Sequence, residues 1–158
     1  MVCTEAERLS SLLKRKKLTL SIAESCTGGM ISSRITDIPG SSEFFIGSAV
    51  TYSDTSKMKI LNVREKTIKE HGAVSAETAD EMSAGAAEVF HSDVSASVTG
   101  FAGPSGGSDM NPVGLVFISV RYGNILRTTE NLFKGSRIDI KNAASDAVIS
   151  EIIRAVGE

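Results

Sequence analysis

The sequence is poor in cysteine, histidine and aromatic residues, and it has little net charge. Its 158 residues include two cysteines, no tryptophan and two histidines, and the formal net charge is −2. The cysteine count argues against a disulfide-stapled secreted fold, and two isolated histidines, His71 and His91, do not predict a metal site. A chain with so small a net charge has no electrostatic reason to bind nucleic acid or an anionic membrane. We therefore expect no metal, no nucleic-acid partner and no membrane partner.

Long apolar runs and a secretory leader are also missing from the sequence. Spanning a bilayer takes about 20 consecutive apolar residues, and no such run is present. We therefore expect a cytoplasmic protein in which both thiols, Cys3 and Cys26, are reduced. The length and the apolar fraction of 41% fit one globular domain over residues 1–158.

Hydrophobic periodicity predicts helices that alternate with strands around one sheet, which is an α/β organisation. Strands are expected at 18–23, 43–52, 93–100, 114–120 and 125–133. The last two are separated by so short a turn, around Gly123 and Asn124, that they should pair as an antiparallel hairpin. The sheet is therefore expected to be mixed, and the exposed edges of the hairpin favour a homo-oligomer.

The helices between these strands are predicted from apolar residues at helical spacing. Ser75 is a good N-cap for the longest internal helix, whose buried face should carry Ala79, Met82, Ala86 and Val89. This helix is expected to belong to the core and to contribute little chemistry.

Two possible nucleophiles, Ser25 and Cys26, come at the end of the first strand. The peptide N–H groups that follow open a helix, where unpaired donors and the helix dipole favour an anion. A phosphate or a developing oxyanion would fit these donors, which belong to Thr27, Gly28 and Gly29. The alternative is that the two glycines only make a tight turn from strand to helix.

Cys26 could itself be the nucleophile, with His71 as its base. A lone cysteine beside a turn is more often a small buried packing residue. A reactive thiolate also needs a cationic partner, which this segment does not supply. Ser25 is therefore the preferred nucleophile.

A second polar cluster, Tyr52, Ser53, Asp54 and Lys57, follows the strand at 43–52. Ligands of α/β sheets gather at the carboxyl ends of the strands, where both clusters fall if the strands are parallel. Burial would lower the pKa of a lysine, and the neutral amine could then take the proton of a serine hydroxyl. The alternative is a solvated helical lysine beside an ordinary strand aromatic.

A glycine-rich loop after the strand at 93–100 provides further candidate substrate contacts at Gly100, Gly103 and Gly107. Long loops inside compact domains are often functional, although a flexible surface loop is the alternative. The loop is neither a Walker A motif nor a dinucleotide-binding fingerprint.

Two charged residues are also candidate substrate contacts, and each has an alternative. Arg137, at the start of the last helix, could clamp a phosphate or could be an exposed helix-start arginine. Glu24 could orient Lys57 or a ribose hydroxyl, or it could be a carboxylate that the helix dipole stabilises.

Several ordered motifs extend over nearly the whole chain: AESCTGG at 23–29, GSAVTYSDTSK at 47–57, HGAVS at 71–75, and TGFAGPSGG at 99–107 followed by NPVG. Together they resemble the CinA C-terminal domain family, whose members include nicotinamide mononucleotide deamidases. The resemblance implies a three-layer α/β/α sandwich with a mixed, mainly parallel sheet. It also implies hydrolysis of the nicotinamide carboxamide, without metal or cofactor, to nicotinic acid mononucleotide and ammonia.

The resemblance also implies roles for individual residues. The family's serine nucleophile falls on Ser25, its lysine on Lys57, and the tyrosine that assists proton transfer on Tyr52. Two positions depart from the family pattern: Asp54 stands where an asparagine is commoner, and Asn111 stands where a lysine is usual.

Family membership alone leaves a second function open. A noncatalytic nucleotide-binding module, used in regulation or assembly, would keep the same glycine turns. The small-molecule partner expected in both cases is a nucleotide. We expect a stand-alone form without the N-terminal molybdopterin-binding-like domain that many relatives carry.

Overall fold

A five-stranded sheet lies between two layers of helices in the computed structural model, which describes residues 3–157. Among these residues, no helix has the apolar length that a bilayer crossing requires. The elements, in chain order, are α1 (Glu5–Lys16), β1 (Leu20–Glu24), α2 (Met30–Thr36), a 3₁₀ turn (Ser41–Glu43), β2 (Phe45–Val50), α3 (Asp54–Leu61), α4 (Glu65–His71), α5 (Ala76–Phe90), β3 (Val94–Gly100), β4 (Leu115–Tyr122), β5 (Ile125–Leu132) and α6 (Arg137–Gly157).

The strand order in the sheet is β2-β1-β3-β4-β5. β1 is parallel to both β2 and β3, whereas β4 is antiparallel to β3 and β5. Four strands thus run in one direction and β4 runs against them, which confirms the mixed sheet. The hairpin predicted around Gly123 and Asn124 is confirmed as the β4–β5 pair. β2 and β5 are the edge strands, and the homo-oligomer stays a prediction.

The two faces of the sheet are covered by different helices, and together they make the three layers implied by the family resemblance. α1, α2 and α6 cover one face, where a large apolar core joins residues such as Leu13, Ile22, Val98 and Ile149. α3, α4 and α5 lie on the other face, where the apolar cluster is smaller and includes Met82.

The face of β3 beneath α5 is polar but buried. Ser97 Oγ donates to the Ala79 carbonyl at 2.5 Å, and Thr99 Oγ1 donates to the Ala73 carbonyl at 2.8 Å. These bonds satisfy the hydroxyl groups without water, which removes most of the cost of burying them. The alternation of apolar and hydroxyl residues in this strand therefore marks two covered faces rather than one core face and one solvent face.

The predicted cap of α5 is confirmed, because Ser75 Oγ accepts a hydrogen bond from Thr78 N at 3.1 Å. Burial is confirmed for Ala79, Met82 and Ala86 but is wrong for Val89, which is 44% exposed. At this end of α5 the next residue, Phe90, packs over β2 instead.

Candidate active site

Ser25 follows β1 directly, and its hydroxyl contacts the side chain of Lys57 from α3. Lys57 Nζ lies 2.9 Å from Ser25 Oγ and donates to the Thr51 carbonyl at 2.6 Å. Lys57 is 1% exposed and Ser25 is 8% exposed. The structure thus brings two of the predicted catalytic residues together, both of them buried, at the carboxyl end of the parallel strands.

The sheet register and the cap of α3 explain why these side chains meet. Glu24 of β1 aligns with Val50 of β2, and the ladder continues one residue further because Thr51 N donates to the Glu24 carbonyl at 2.8 Å. Side chains alternate along a strand, so Ser25 points to the opposite face from Glu24, where α3 lies. Ser53 caps α3 and starts the helix three residues after β2 ends, which directs Lys57 back over the strand ends.

Burial lowers the pKa of Lys57 below the ordinary lysine value of 10.5, and it is the largest influence on this amine. The negative charges of Asp54 and of a Cys26 thiolate would act in the opposite direction. A lowered pKa makes the neutral amine more available near physiological pH. This arrangement is chemically suited to transfer of a proton from the Ser25 hydroxyl to a neutral Lys57 amine.

Cys26 lies beside this pair, but its environment disfavours a thiolate. Burial is the largest cause that raises the pKa of the Cys26 thiol to about 11. A thiol with this pKa is almost entirely protonated at neutral pH and is a poor nucleophile. His71, the base considered for it, instead lies 3.6 Å from Glu77. Between the two candidate nucleophiles, the structure favours Ser25.

Glu24 is completely buried and caps the start of α2. Its carboxyl oxygens accept hydrogen bonds from Thr27 Oγ1 at 2.6 Å, from Gly29 N at 3.2 Å, from Ile31 N at 3.1 Å, and from both N and Oγ of Ser32 at 3.0 and 2.6 Å. Every one of these partners belongs to the strand-to-helix turn or the helix. This geometry supports the helix-start alternative, and the predicted contact of Glu24 with substrate has no support in it.

Hydrogen bonds within the turn occupy two of the three backbone N–H groups that were predicted to bind an anion. Gly29 N is already bound to Glu24, and Gly28 N donates to the Ser25 carbonyl at 3.0 Å. Both glycines have positive φ angles, 59° and 101°, so the turn itself requires them. Of the three predicted donors, only Thr27 N has no acceptor within residues 3–157.

Tyr52 and Arg137 form a second group beside the buried pair. Arg137 Nη2 donates to Tyr52 Oη at 2.9 Å, and Arg137 Nη1 donates to the Gly103 carbonyl at 2.6 Å. The Tyr52 side chain is exposed. Tyr52 comes directly after Thr51, whose carbonyl accepts a hydrogen bond from Lys57. Three residues predicted from separate motifs are thus brought together, and Arg137 links the start of α6 to the end of β2 and to the glycine-rich loop.

Packing of the loop against its own chain explains the loop glycines. A Cβ on Gly100 would lie 2.6 Å from Val116 Cγ2, and a Cβ on Gly107 would lie 2.5 Å from Val113 N. Gly103 has a φ angle of +77°, and its Cβ would lie 2.4 Å from Val113 Cγ1. The predicted role of these glycines in binding substrate therefore lacks a geometric basis here, apart from the Gly103 carbonyl that holds Arg137.

Two residues near the site were missed by the sequence analysis. Thr51 anchors Lys57 through a backbone carbonyl, for which a sequence carries no signal, and its buried Oγ1 has no hydrogen-bond partner among the described residues. Lys141 Nζ lies 3.8 Å from the point that a Cβ on Gly28 would occupy. The spacing of Lys141 four residues after Arg137 was a signal that could have identified it.

The two departures from the family pattern lie in different surroundings. Asp54 is the first residue of α3, and its charge acts on Lys57 from one helical turn away. Asn111 lies in the loop, where its carbonyl accepts from Ser108 N at 2.8 Å. Both side chains are exposed, so either change can be accommodated without repacking the core.

Comparison with known proteins supports one family. The family model described as the CinA C-terminal domain matches residues 3–156. The chain is 45% identical over 148 residues to a CinA-like protein from Chloroherpeton thalassium and 47% identical over 154 residues to one from Endomicrobium trichonymphae. These matches cover 91% and 95% of the chain. The chain spans only 35% and 36% of the length of these two relatives.

Solved structures match the chain along almost its whole length. The competence/damage inducible protein CihA from Agrobacterium tumefaciens superposes with a TM-score of 0.94 at 35% identity, covering 98% of this chain and 94% of that chain. A competence-damaged protein (CinA) superfamily protein from Escherichia coli gives a TM-score of 0.93 at 32% identity, covering 98% and 90%. The three-layer fold is therefore the fold of these proteins, whereas the stand-alone form of this chain stays a prediction.

Proposed function

The chain belongs to the CinA C-terminal domain family, and we propose that it is an amidohydrolase that converts nicotinamide mononucleotide to nicotinic acid mononucleotide and ammonia. The observation that carries the proposal is the buried contact of 2.9 Å between Lys57 Nζ and Ser25 Oγ. A serine hydroxyl is a weak nucleophile at neutral pH and needs a base, and a lysine with a lowered pKa supplies one.

The proposed reaction begins when neutral Lys57 takes the hydroxyl proton of Ser25 as Ser25 Oγ attacks the carboxamide carbon. The carbonyl oxygen becomes an oxyanion, for which Thr27 N–H is one backbone donor near the nucleophile that has no acceptor among residues 3–157. When the tetrahedral intermediate collapses, the C–N bond breaks and Lys57 returns its proton to the departing ammonia. An ester between Ser25 and the nicotinoyl group remains.

Water completes the proposed cycle by hydrolysing this ester. Lys57, neutral again, takes a proton from the attacking water, and the same proton then goes to Ser25 Oγ as the C–O bond breaks. The sum is amide plus water to acid plus ammonia, and no step needs a metal. The assistance of Tyr52 in proton transfer stays a prediction, since its hydroxyl accepts a hydrogen bond from Arg137 in this structure.

The direct test is ammonia release from nicotinamide mononucleotide by the purified protein, with and without a chelator. We expect turnover that survives chelation and that the Ser25→Ala variant abolishes while it still binds the nucleotide. Alanine removes only one hydroxyl group at an already small residue, so the variant should keep the fold. Binding of the nucleotide to the parent without ammonia release would instead identify a noncatalytic nucleotide-binding module.

A further inference from the structure

Two cationic side chains on α6 are directed toward the candidate active site. Arg137 reaches Tyr52 and Gly103, and Lys141, four residues later, reaches the turn at Gly28. Residues four apart lie on the same face of a helix, with Cβ atoms about 6 Å apart. The two cations therefore line one side of the site, next to the turn that carries the nucleophile.

Neither of these two side chains forms an ion pair with an acidic group of residues 3–157. Arg137 hydrogen-bonds only to a neutral phenol and a neutral carbonyl, and Lys141 Nζ makes neither a hydrogen bond nor an ion pair within residues 3–157. Two other cations of the same layer are paired: Arg34 contacts Asp146, and Arg154 Nη1 lies 2.9 Å from Glu151 Oε1.

The acidic groups near the site make no ion pair with these cations. The Glu24 carboxyl group accepts five hydrogen bonds at the start of α2. The Asp139 carboxyl group lies in the first turn of α6, where it accepts from Ser136 N and Oγ at 2.9 and 2.8 Å. Asp54 lies across the site on α3, beside Lys57. An anion could therefore approach Lys141 and Arg137 without displacing an existing ion pair.

We propose that Lys141, together with Arg137, binds the phosphomonoester of the substrate, an inference that rests on the proposed function. A phosphomonoester carries between one and two negative charges at neutral pH, and its oxygens can accept from an arginine and a lysine at once. The guanidinium fixes the direction of the phosphate through its planar donors, and the ammonium adds a point charge. Lys141 and Arg137 thus make the site prefer a nucleotide over the corresponding nucleoside.

The test compares nicotinamide mononucleotide with nicotinamide riboside, which has the same amide but no phosphate. We expect the parent to prefer the mononucleotide and the Lys141→Met variant to lose 10- to 100-fold, as an order of magnitude, in kcat/KM for it. Activity on the riboside should change less than about twofold, because the amide and its surroundings are untouched. Arg154→Met, a change at a paired cation on the same helix, is the matched control and should leave both substrates unaffected.

Two kinetic results would overturn the proposal. An equal loss on both substrates would place Lys141 at the reacting amide, and no loss on either would make it an ordinary surface lysine. If the parent hydrolysed neither substrate, the proposed function would fail. Calorimetric measurement of binding would then test independently whether Lys141 contacts the phosphate. Weaker binding of the mononucleotide but not of the riboside in Lys141→Met would then support it, whereas unchanged binding of both would contradict it.

Discussion

Lys57 Nζ contacts Ser25 Oγ at 2.9 Å although the two residues are 32 positions apart in the chain. The contact depends on parallel pairing of β1 with β2 and on the cap that starts α3 immediately afterwards. Neither residue could be activated in this way on an isolated strand or helix. The proposed nucleophile and its proposed base are therefore brought to hydrogen-bonding distance by the fold.

Replacing Lys57 by arginine should lower hydrolysis by about 10²- to 10⁴-fold, the range for loss of a general base. Arginine keeps the positive charge but does not deprotonate, so Ser25 would lose its proton acceptor. Turnover should be measured beside nucleotide binding, which we expect to persist. Lys59→Arg, on an exposed position of the same helix, is the control. A second variant, Lys57→Met, covers the case in which arginine does not fit, and normal turnover in either Lys57 variant would contradict the mechanism.

The rate of the parent should rise with pH through the lowered pKa of Lys57. Only the neutral amine can accept the serine proton, and burial holds its pKa below 10.5. A profile of kcat/KM against pH should therefore be low in acid and reach a plateau below the ordinary lysine range. A rate that is independent of pH through the neutral and moderately alkaline range would show that the proton goes elsewhere.

Cys26→Ala should keep most of the activity. At pH 7 a thiol with a pKa of about 11 is about one part in ten thousand thiolate, too little to carry the reaction. Iodoacetamide should react with the exposed Cys3 and leave Cys26 unmodified, so a Cys3→Ser variant should be resistant to alkylation. Rapid inactivation of that variant by the reagent, together with an inactive Cys26→Ala, would assign the nucleophile to Cys26.

Glu24→Gln should lower the free energy of unfolding by about 1–3 kcal/mol. The glutamine amide nitrogen cannot accept hydrogen bonds, so part of the donor set at the start of α2 would be left without a partner. Denaturant unfolding measures the loss, and Glu65→Gln, at an exposed position of α4, should change stability by less than about 0.5 kcal/mol. Unchanged stability combined with a higher KM would instead support a direct contact of Glu24 with substrate.

Local sequence patterns were sufficient for several features of the site. Strand, glycine turn and helix follow in the predicted order around Ser25, because the periodicity and the two glycines are properties of neighbouring residues. The sequence also identified Lys57 and Arg137 as candidate site residues. The same patterns could not show whether a glycine is needed for the approach of a ligand or for packing within the protein. At Gly100 and Gly107 a side chain would collide with Val116 and Val113, which are distant in sequence or brought close only by the loop.

The alternation of helices and strands, the mixed sheet and the family could all be predicted from patterns along the chain. Three contacts became evident only from the folded chain: Lys57 is buried against Ser25, Glu24 caps α2, and Arg137 contacts Tyr52. Periodicity and caps act over a few residues and can be read along the chain. Burial and the resulting pKa of Lys57 depend on strand register and on how α3 docks, which are set only when segments distant in sequence pack together.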